Sequence, residues 1–287
     1  MKNLRWNNFG IGLVLLVLLM TVSGCGRWWV NTDYYYPVWK DANTIYCVEG
    51  EHKERYMLGV PIKINDDCAY YLASMDTEGN NYQRILLLSD KDAGTISLSG
   101  DLLVYSKDWN VSNNTSEIWS MELDGGNNKK IVSGDFPRLS PDGTKVAYQS
   151  SDDAIWIIGI DGTGAKKIWD TSRNFSCAWS SDSVKVAIPT GEGIRIVSIS
   201  TLESNLIPVE YMDYIDWSPD GNEFVYWNPG LMIVDVNGTS TTKIYGEIFD
   251  SPMWSPDSQK IIGEDGGIAI INRDGTNYKV IKENVEF

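Results

Sequence analysis

The sequence predicts an all-β fold, a six-bladed β-propeller whose blades are four-stranded antiparallel sheets. Two markers recur in phase along its 287 residues. The first is a tight turn that begins with serine, at steps of 40, 38 and 37 residues, at Ser140, Ser180, Ser218 and Ser255. The second is an apolar run, at steps of 37, 39, 37 and 37 residues, that starts at Ile118, Ile155, Ile194, Leu231 and Ile268. Two markers that keep one period indicate a repeated structural unit.

The hydrophobic pattern within the units favours a propeller over other all-β folds. The runs 155–160 and 268–271 are almost continuously apolar, whereas a strand with one face in water alternates between apolar and polar residues. Both faces of these sheets must therefore be covered. Since no helices are expected, neighbouring sheets cover them, and similar sheets packed around an axis form a propeller. A β-sandwich or barrel, the second choice, predicts alternating strands and no repeat of 37 to 40 residues.

The third unit illustrates the strands of one blade. We expect them at 136–139, 145–149, 155–160 and 167–169. Asp161-Gly162 joins the last two, because this pair accepts the backbone angles of a tight hairpin. A Ser-Pro-Asp-Gly turn that opens at Ser140 joins the first two. Six such units lie between about Pro37 and Ile281, with insertions at 48–67 in the first and 107–115 in the second.

Two residue types recur once in most units, and each allows a structural and a functional interpretation. Tryptophan occupies one position in four of the units, at Trp39, Trp179, Trp217 and Trp254. A large ring there should fill the space between adjacent blades, and the alternative is an aromatic box for a sugar or a cation. The aspartate of each Ser-Pro-Asp-Gly turn should bond within its own turn. The alternative, calcium binding, requires about 6 to 8 oxygen ligands, more than one carboxylate per turn supplies.

The first 25 residues have the plan of a secretory signal. Lys2 and Arg5 precede an apolar run at 11–22, which is shorter than the roughly 20 apolar residues of a membrane-spanning helix. Val22-Ser23-Gly24-Cys25 resembles the lipobox of bacterial lipoproteins. This resemblance implies cleavage before Cys25, lipidation of Cys25, and anchoring of the exported protein to a bacterial cell membrane or outer membrane. An uncleaved anchor helix is the alternative.

These features divide the chain into three expected parts: a signal peptide at 1–24, a lipidated cysteine and short linker at 25–36, and the propeller at 37–287. Cleavage would change the net charge from −15 to −17, because the loss of Lys2 and Arg5 leaves 22 basic residues against 39 acidic ones. A chain this acidic repels the phosphates of nucleic acids, so we expect no nucleic-acid partner.

The histidine and cysteine contents limit the chemistry further. One histidine, His52, argues against a His-rich metal site or a serine-protease triad, and we expect no enzyme activity, metal or other cofactor. With Cys25 lipidated, Cys47, Cys68 and Cys177 remain. Cys47 and Cys68 lie on segments expected to be neighbouring strands. A disulfide between these two is one interpretation, and two buried thiols are the other.

The repeat resembles the WD40-like (PD40) propeller repeats of the TolB family. The likeness rests on a P-x-W-S-P-D-G turn, as at Pro252-Met253-Trp254-Ser255-Pro256-Asp257, followed by an I-Y/W-x-x-x-x-D-G hairpin, and it extends over about 37–281. It implies a propeller that binds partner proteins at the cell envelope. The family's small mixed α/β domain has no expected counterpart between Cys25 and Pro37.

We therefore expect a membrane-anchored envelope lipoprotein, monomeric, whose propeller is a non-catalytic protein-binding or scaffold module. The insertions depart from the repeat and are the expected contact regions, with candidate residues Glu51, His52, Arg55, Tyr56 and Trp109. The alternative is a propeller that binds or processes a carbohydrate or small ligand at its channel mouth, with acidic residues such as Asp213, Asp216, Glu264 and Asp265 nearby.

Overall fold

A computed structural model of the chain describes residues 27–57, 60–62, 68–110, 115–171, 176–210, 212–247 and 249–285. The predicted signal peptide and Cys25 lie outside these residues, so cleavage and lipidation stay predictions. In the described part of the chain, no helix is long and apolar enough to cross a membrane.

Six antiparallel sheets form the blades of a propeller, as predicted. Blade 1 contains β1 (Arg27–Trp39), β2 (Thr44–Met57), β4 (Cys68–Asp76) and β5 (Gln83–Ser89), with a short β3 (Val60–Ile62) beside β2. Blade 2 contains β6 (Ala93–Ser99), β7 (Leu102–Asn110), β8 (Thr115–Glu122) and β9 (Lys129–Ser133). Blade 3 contains β10 (Asp135–Leu139), β11 (Lys145–Ser150), β12 (Ala154–Gly159) and β13 (Lys166–Asp170).

The last three blades repeat this order. Blade 4 contains β14 (Ala178–Trp179), β15 (Lys185–Thr190), β16 (Gly193–Ser198) and β17 (Ser204–Ile207). Blade 5 contains β18 (Asp213–Trp217), β19 (Glu223–Trp227), β20 (Leu231–Asp235) and β21 (Thr241–Tyr245). Blade 6 contains β22 (Asp250–Trp254), β23 (Lys260–Glu264), β24 (Gly267–Asn272) and β25 (Lys279–Glu283).

The repeated serine turn holds the first two strands of a blade together. In blade 3, Ser140 Oγ donates to Asp142 Oδ1 at 2.6 Å and accepts from Lys145 N at 3.0 Å. Gly143 follows at φ 70°, a left-handed angle that glycine adopts without strain. The same serine-to-aspartate bond, also 2.6 Å, recurs at Ser180, Ser218 and Ser255. The prediction of bonding within each turn is confirmed.

The repeated tryptophans pack mainly between blades, as predicted. Trp179 of blade 4 is 7% exposed and shares a core cluster with Ile155 of blade 3, and Trp254 of blade 6 is 3% exposed and packs with Val225 of blade 5. Trp217 differs, because it is half-buried and its ring lies 4.6 Å from that of Phe224 in its own blade. These rings therefore form core more than an exposed aromatic box.

The ring closes where blade 6 packs against blade 1. Ile262 and Ile268 of blade 6 join Trp39 and Ile45 of blade 1 in one core cluster. In addition, Thr32 of β1 and Val285, just after β25, exchange two backbone hydrogen bonds of 2.9 and 2.8 Å. Blade 6 takes all four of its strands from the C-terminal part of the chain, so packing and this clasp close the ring without a shared strand.

Two segments differ from the prediction. The expected linker belongs to β1 from Arg27 onward, and the insertion expected from position 48 continues β2 as far as Met57. The two strands pair from Arg27 opposite Tyr56 to Trp39 opposite Ile45. They form a β-ribbon, residues 27–33 paired with 50–56, that extends blade 1. Because this ribbon has no counterpart in the described residues of the other five blades, the repeat could not predict it.

Of the two interpretations of Cys47 and Cys68, the possible disulfide is wrong, because the two cysteines are not bonded to each other. In the register of β2 and β4, Cys47 lies opposite Ala73 and Cys68 lies opposite His52. Five residues of strand separate these positions, about 17 Å, whereas the Cα atoms of a disulfide lie roughly 4.4 to 6.8 Å apart.

Candidate functional site

A cavity of about 330 Å³ opens at one mouth of the central channel. The first strands of all six blades line it, since each first strand runs along the propeller axis and ends here in the turn to the second strand. Exposed turn residues from four blades form its rim: Pro141, Ser181, Pro219 and Pro256. Indole rings lie beneath them, from Trp39, Trp179, Trp217 and Trp254. The mouth is therefore a mainly apolar, aromatic depression.

Arg138 closes the floor of this depression. Its side chain is 7% exposed and lines both the mouth cavity and a smaller one of about 10 Å³ on the far side, so it lies between them. Nε donates to Ser176 Oγ at 2.5 Å, and Nη1 contacts Met253 Sδ at 3.5 Å. These bonds fix the guanidinium in a largely dehydrated position, where a positive charge interacts strongly with an approaching anion.

Asp216 supplies a negative charge at the same depth. Burial raises the pKa of its carboxyl to about 6, although Arg138 and the backbone N–H groups of Trp254 and Trp217 oppose the increase. Its Oδ2 accepts from Trp254 N of the next blade at 2.8 Å. Ser97 makes the equivalent contact in blade 2, where its Oγ accepts from Leu139 N at 3.0 Å. Asp216 therefore links two blades besides charging the channel wall.

Arg138 was missed in the sequence, although a signal was present there, whereas Asp216 was among the acidic residues expected near the channel mouth. They occupy one position of the repeat, two residues before the turn serine, which elsewhere holds Val38, Ser97, Ala178 and Met253. A charged residue at a channel-lining position of small or apolar residues marks a departure from the repeat. The insertions are larger departures from the repeat, and they were predicted as the contact regions instead.

The opposite mouth of the channel is tighter. It is lined by residues that precede those of the aromatic mouth along the first strands, among them Tyr36, Tyr214 and Ser251. Tyr36 N donates to Glu264 Oε1 at 2.9 Å across the junction of blades 1 and 6. Burial raises the pKa of Glu264 to about 7. The ribbon leaves the propeller on this side, because β1 runs from the ribbon towards Trp39 at the aromatic mouth.

The five candidate contact residues belong to the ribbon or to the hairpin of β7 and β8, both on the side opposite the aromatic mouth. Arg84 Nη2 donates to Glu51 Oε1 at 2.6 Å, and the His52 side chain is partly buried in the sheet. Trp109 is 43% exposed, and its backbone N–H donates to Asp92. The side chains of Arg55 and Tyr56 are outside the described part of the structure. In the parts of the chain described, no group of three or more His, Cys, Asp or Glu residues could hold a metal ion.

Solved structures with the same architecture cover most of the chain. TolB from Acinetobacter baumannii aligns with a TM-score of 0.62 and 16% identity over 89% of this chain and 79% of that one. A putative TolB from Agrobacterium tumefaciens aligns with a TM-score of 0.59 and 16% identity over 70% and 84%. The fold is TolB-like. At this identity the TolB likeness concerns the fold and not the function.

Sequence comparison adds little to the TolB-like fold. No family model matches the chain. A stretch of 83 residues is 32% identical to Tricorn protease homolog 1 of Streptomyces coelicolor. That match covers 26% of this chain and only 8% of the relative.

Proposed function

We propose that this protein is a lipid-anchored cell-envelope propeller that binds a partner protein, without catalysis, at its aromatic channel mouth. The observation that carries the proposal is the composition of that mouth. The mouth contains exposed prolines and the half-buried Trp217 at its edge, and the dehydrated Arg138 and the Asp216 carboxylate at its floor. Tryptophan and arginine at the centre of an apolar depression are typical of residues that dominate protein–protein binding energy.

The partner expected here presents a short protruding segment, such as a loop or chain end. A flat surface would touch only the proline rim, whereas a loop can enter the depression and meet Arg138 on its floor. An acidic or carboxylate group at the tip of the loop would pair with the guanidinium, and apolar side chains behind it would cover the half-buried indole of Trp217 and the proline rim. The TolB-like fold supports a binding role, since a propeller presents a concave mouth to which every blade contributes.

The course of β1 supports an orientation on the membrane. Arg27 begins this strand only two residues after Cys25, the predicted lipid site, and the ribbon leaves the propeller on the side opposite the aromatic mouth. From Thr32, where the ribbon is clasped to Val285, five residues of strand reach Arg27, about 17 Å. A lipid at Cys25 would therefore hold the propeller close to the membrane with its aromatic mouth facing away.

Affinity capture from the native membrane tests the proposal. The bait is the full chain, and the informative variant is Pro219→Arg, which places a bulky charge on the exposed rim of the mouth. Pro229→Arg is the matched control, because Pro229 is exposed in the turn between β19 and β20 of the same blade, on the opposite side. Mass spectrometry should identify a protein captured by the wild type and by Pro229→Arg but lost with Pro219→Arg. Equal capture by all three would refute binding at the mouth.

The anchor is tested separately. Cys25→Ser should release the protein from the membrane fraction into the soluble one, and mass spectrometry of the wild-type amino terminus should show a diacylglyceryl cysteine. A Cys25→Ser protein that stays in the membrane fraction would contradict the lipid anchor.

Binding of a small ligand or carbohydrate is the second candidate. A cavity of about 330 Å³ with indoles and one carboxylate is within the size range of small-molecule sites. A glycan array probed with the purified full chain distinguishes the two candidates. A signal that Asp216→Asn abolishes would favour the carbohydrate, and no signal would remove it.

A further inference from the structure

The ribbon of blade 1 brings together a cysteine, the histidine and an aspartate. Cys68 Sγ lies 3.3 Å from His52 Nδ1, and the other ring nitrogen, Nε2, lies 3.6 Å from Asp33 Oδ2. The three residues come from β4, β2 and β1, with His52 directly opposite Cys68. The imidazole therefore lies between a thiol and a carboxylate, each facing a different ring nitrogen.

Neighbouring groups fix this arrangement. Tyr35 OH donates to Asp33 Oδ2 at 2.9 Å, and the Tyr70 ring packs edge-on against the imidazole with centroids 5.7 Å apart. Gly50 leaves the room that the rings require. A Cβ at Gly50 would lie 3.1 Å from the Tyr70 ring, 3.2 Å from the Tyr35 ring and 3.3 Å from His52 Nε2. The ring of His52 is held in place by this packing and by the contact with Cys68, while Nε2 makes no hydrogen bond and meets Asp33 only as a nearby charge.

This is the geometry that activates a thiol. A base within hydrogen-bond reach removes the thiol proton, and a third group orients the base and stabilises its charged form. We propose that Cys68 is a nucleophilic thiol that exchanges with external disulfides, with His52 as its proton acceptor and Asp33 as a positioning residue. The proposal is independent of the partner-binding function proposed above, because its residues lie on the opposite side of the propeller from the aromatic mouth.

The exchange step is balanced as follows. The thiol proton moves to Nδ1 of His52, and the thiolate attacks one sulfur of the incoming disulfide. A new sulfur–sulfur bond forms at Cys68 while the bond within the reagent breaks, and the departing thiolate takes the proton from the imidazolium. Cys68 is oxidised, one sulfur of the reagent is reduced, and the product is a mixed disulfide.

The other cysteines favour an external reaction partner. Cys47 and Cys177 are buried at 0% and 1% exposure, and burial raises the pKa of Cys177 to about 12 and that of Cys47 still further. Cys47 is about 17 Å along the sheet from Cys68, too far to resolve a mixed disulfide. Cys68, which is half-buried, is therefore the cysteine of this group that can meet a reagent.

Few other charges face the site. Asp33, Tyr35 and Tyr70 are the titratable groups that face the imidazole among the side chains described, and burial raises the pKa of Tyr35 above its ordinary range. The nearby carboxylate of Glu51 is on the other face of the sheet, where Arg84 binds it. The pH dependence of the thiol should therefore report mainly on the cysteine, histidine and aspartate.

The test measures the rate of reaction with dithiodipyridine, a disulfide whose leaving group absorbs light. The full chain carries Cys25→Ser so that this position does not react. An ordinary thiol ionises near pH 8.5, so its rate falls steeply below that value. We expect the rate of Cys68 to persist down to about pH 6, and His52→Gln to lower it at pH 6 by at least about tenfold and move the profile to the ordinary value. Asp33→Asn should cause a smaller loss of the same kind.

Two controls complete the test. Cys68→Ser should abolish the native reaction, leaving Cys47 and Cys177 to react only in denaturant. The ultraviolet absorbance of the thiolate, taken as the difference between the parent and Cys68→Ser, gives the same ionisation without any variant of the histidine. A parent profile with an ordinary midpoint near pH 8.5 would overturn the proposal, and so would a folded His52→Gln protein that reacts as fast as the parent.

Discussion

Replacing Glu264 with glutamine should stabilise the protein at alkaline pH and leave it unchanged in acid. Glu264 lies at the junction that closes the ring, where its Oε1 accepts from Tyr36 N at 2.9 Å. Burial raises the pKa of its carboxyl from 4.5 to about 7, helped by Asp250 and opposed by the bonds from Tyr36 and Ser251. Between these values the folded protein retains a proton that the unfolded chain has released, so stability falls as pH rises.

The magnitude follows from the two pKa values. A difference between 4.5 and about 7, at about 1.36 kcal/mol per pH unit, gives a loss of roughly 3 kcal/mol by pH 8. Glutamine resembles the protonated carboxyl and can still accept the bond from Tyr36 N. The Glu264→Gln protein should therefore exceed the wild type by up to roughly 3 kcal/mol at pH 8 and by about zero at pH 4.

Urea unfolding followed by tryptophan fluorescence at pH 4, 6 and 8 measures this difference. Other groups that titrate in this range, such as Asp216, cancel because both proteins contain them. Glu247→Gln is the matched control, since that side chain is exposed, and its stability should follow the wild type at every pH. Parallel pH profiles for Glu264→Gln and the wild type would refute the reasoning.

Three further substitutions test the packing and the ring closure, each by urea unfolding at pH 7. Trp254→Ala should cost about 3 to 5 kcal/mol, because the ring is 3% exposed between blades, and a cost below about 1 kcal/mol would contradict this role. Arg84→Met should cost roughly 2 kcal/mol, because the Glu49 carboxylate, 4% exposed, loses its charged partner at 2.6 Å and keeps the hydrogen bond from Tyr82 OH. Asn284→Ala should cost about 1 kcal/mol, since Tyr34 N loses its 2.9 Å acceptor, and an unchanged midpoint would show that this bond contributes nothing to the ring closure.

The repeated part of the fold could be predicted because local rules fix it. The continuous apolar run that starts at Ile155 and the turn that opens at Ser140 each depend on residues next to one another in the chain. Both became the expected strand and turn, and Trp179 fills the gap between two blades as its spacing indicated. The repeat length therefore predicted six blades, although it did not predict the contacts between them.

The ribbon and the sites could not be predicted because they depend on strand register and on contacts across the ring. Five residues along β2 separate Cys47, the partner of Cys68 in the disulfide interpretation, from His52, which lies opposite Cys68 in the structure. Arg138 and Asp216 face the channel from blades 3 and 5 and act together only after the ring has closed. A sequence pattern predicts where a strand lies and which of its residues are buried. It does not predict the register of that strand with a neighbour that is not part of the repeat.

Photo-crosslinking in the native envelope tests the central claim most directly. A photoreactive amino acid at position 219 lies on the rim of the aromatic mouth, and one at position 229 lies on the opposite side of the same blade. We expect position 219 to form a discrete protein adduct that disappears when unlabelled wild-type propeller competes for the partner, and position 229 to form none. Adducts at 229 and none at 219 would contradict a propeller that binds its partner through this mouth.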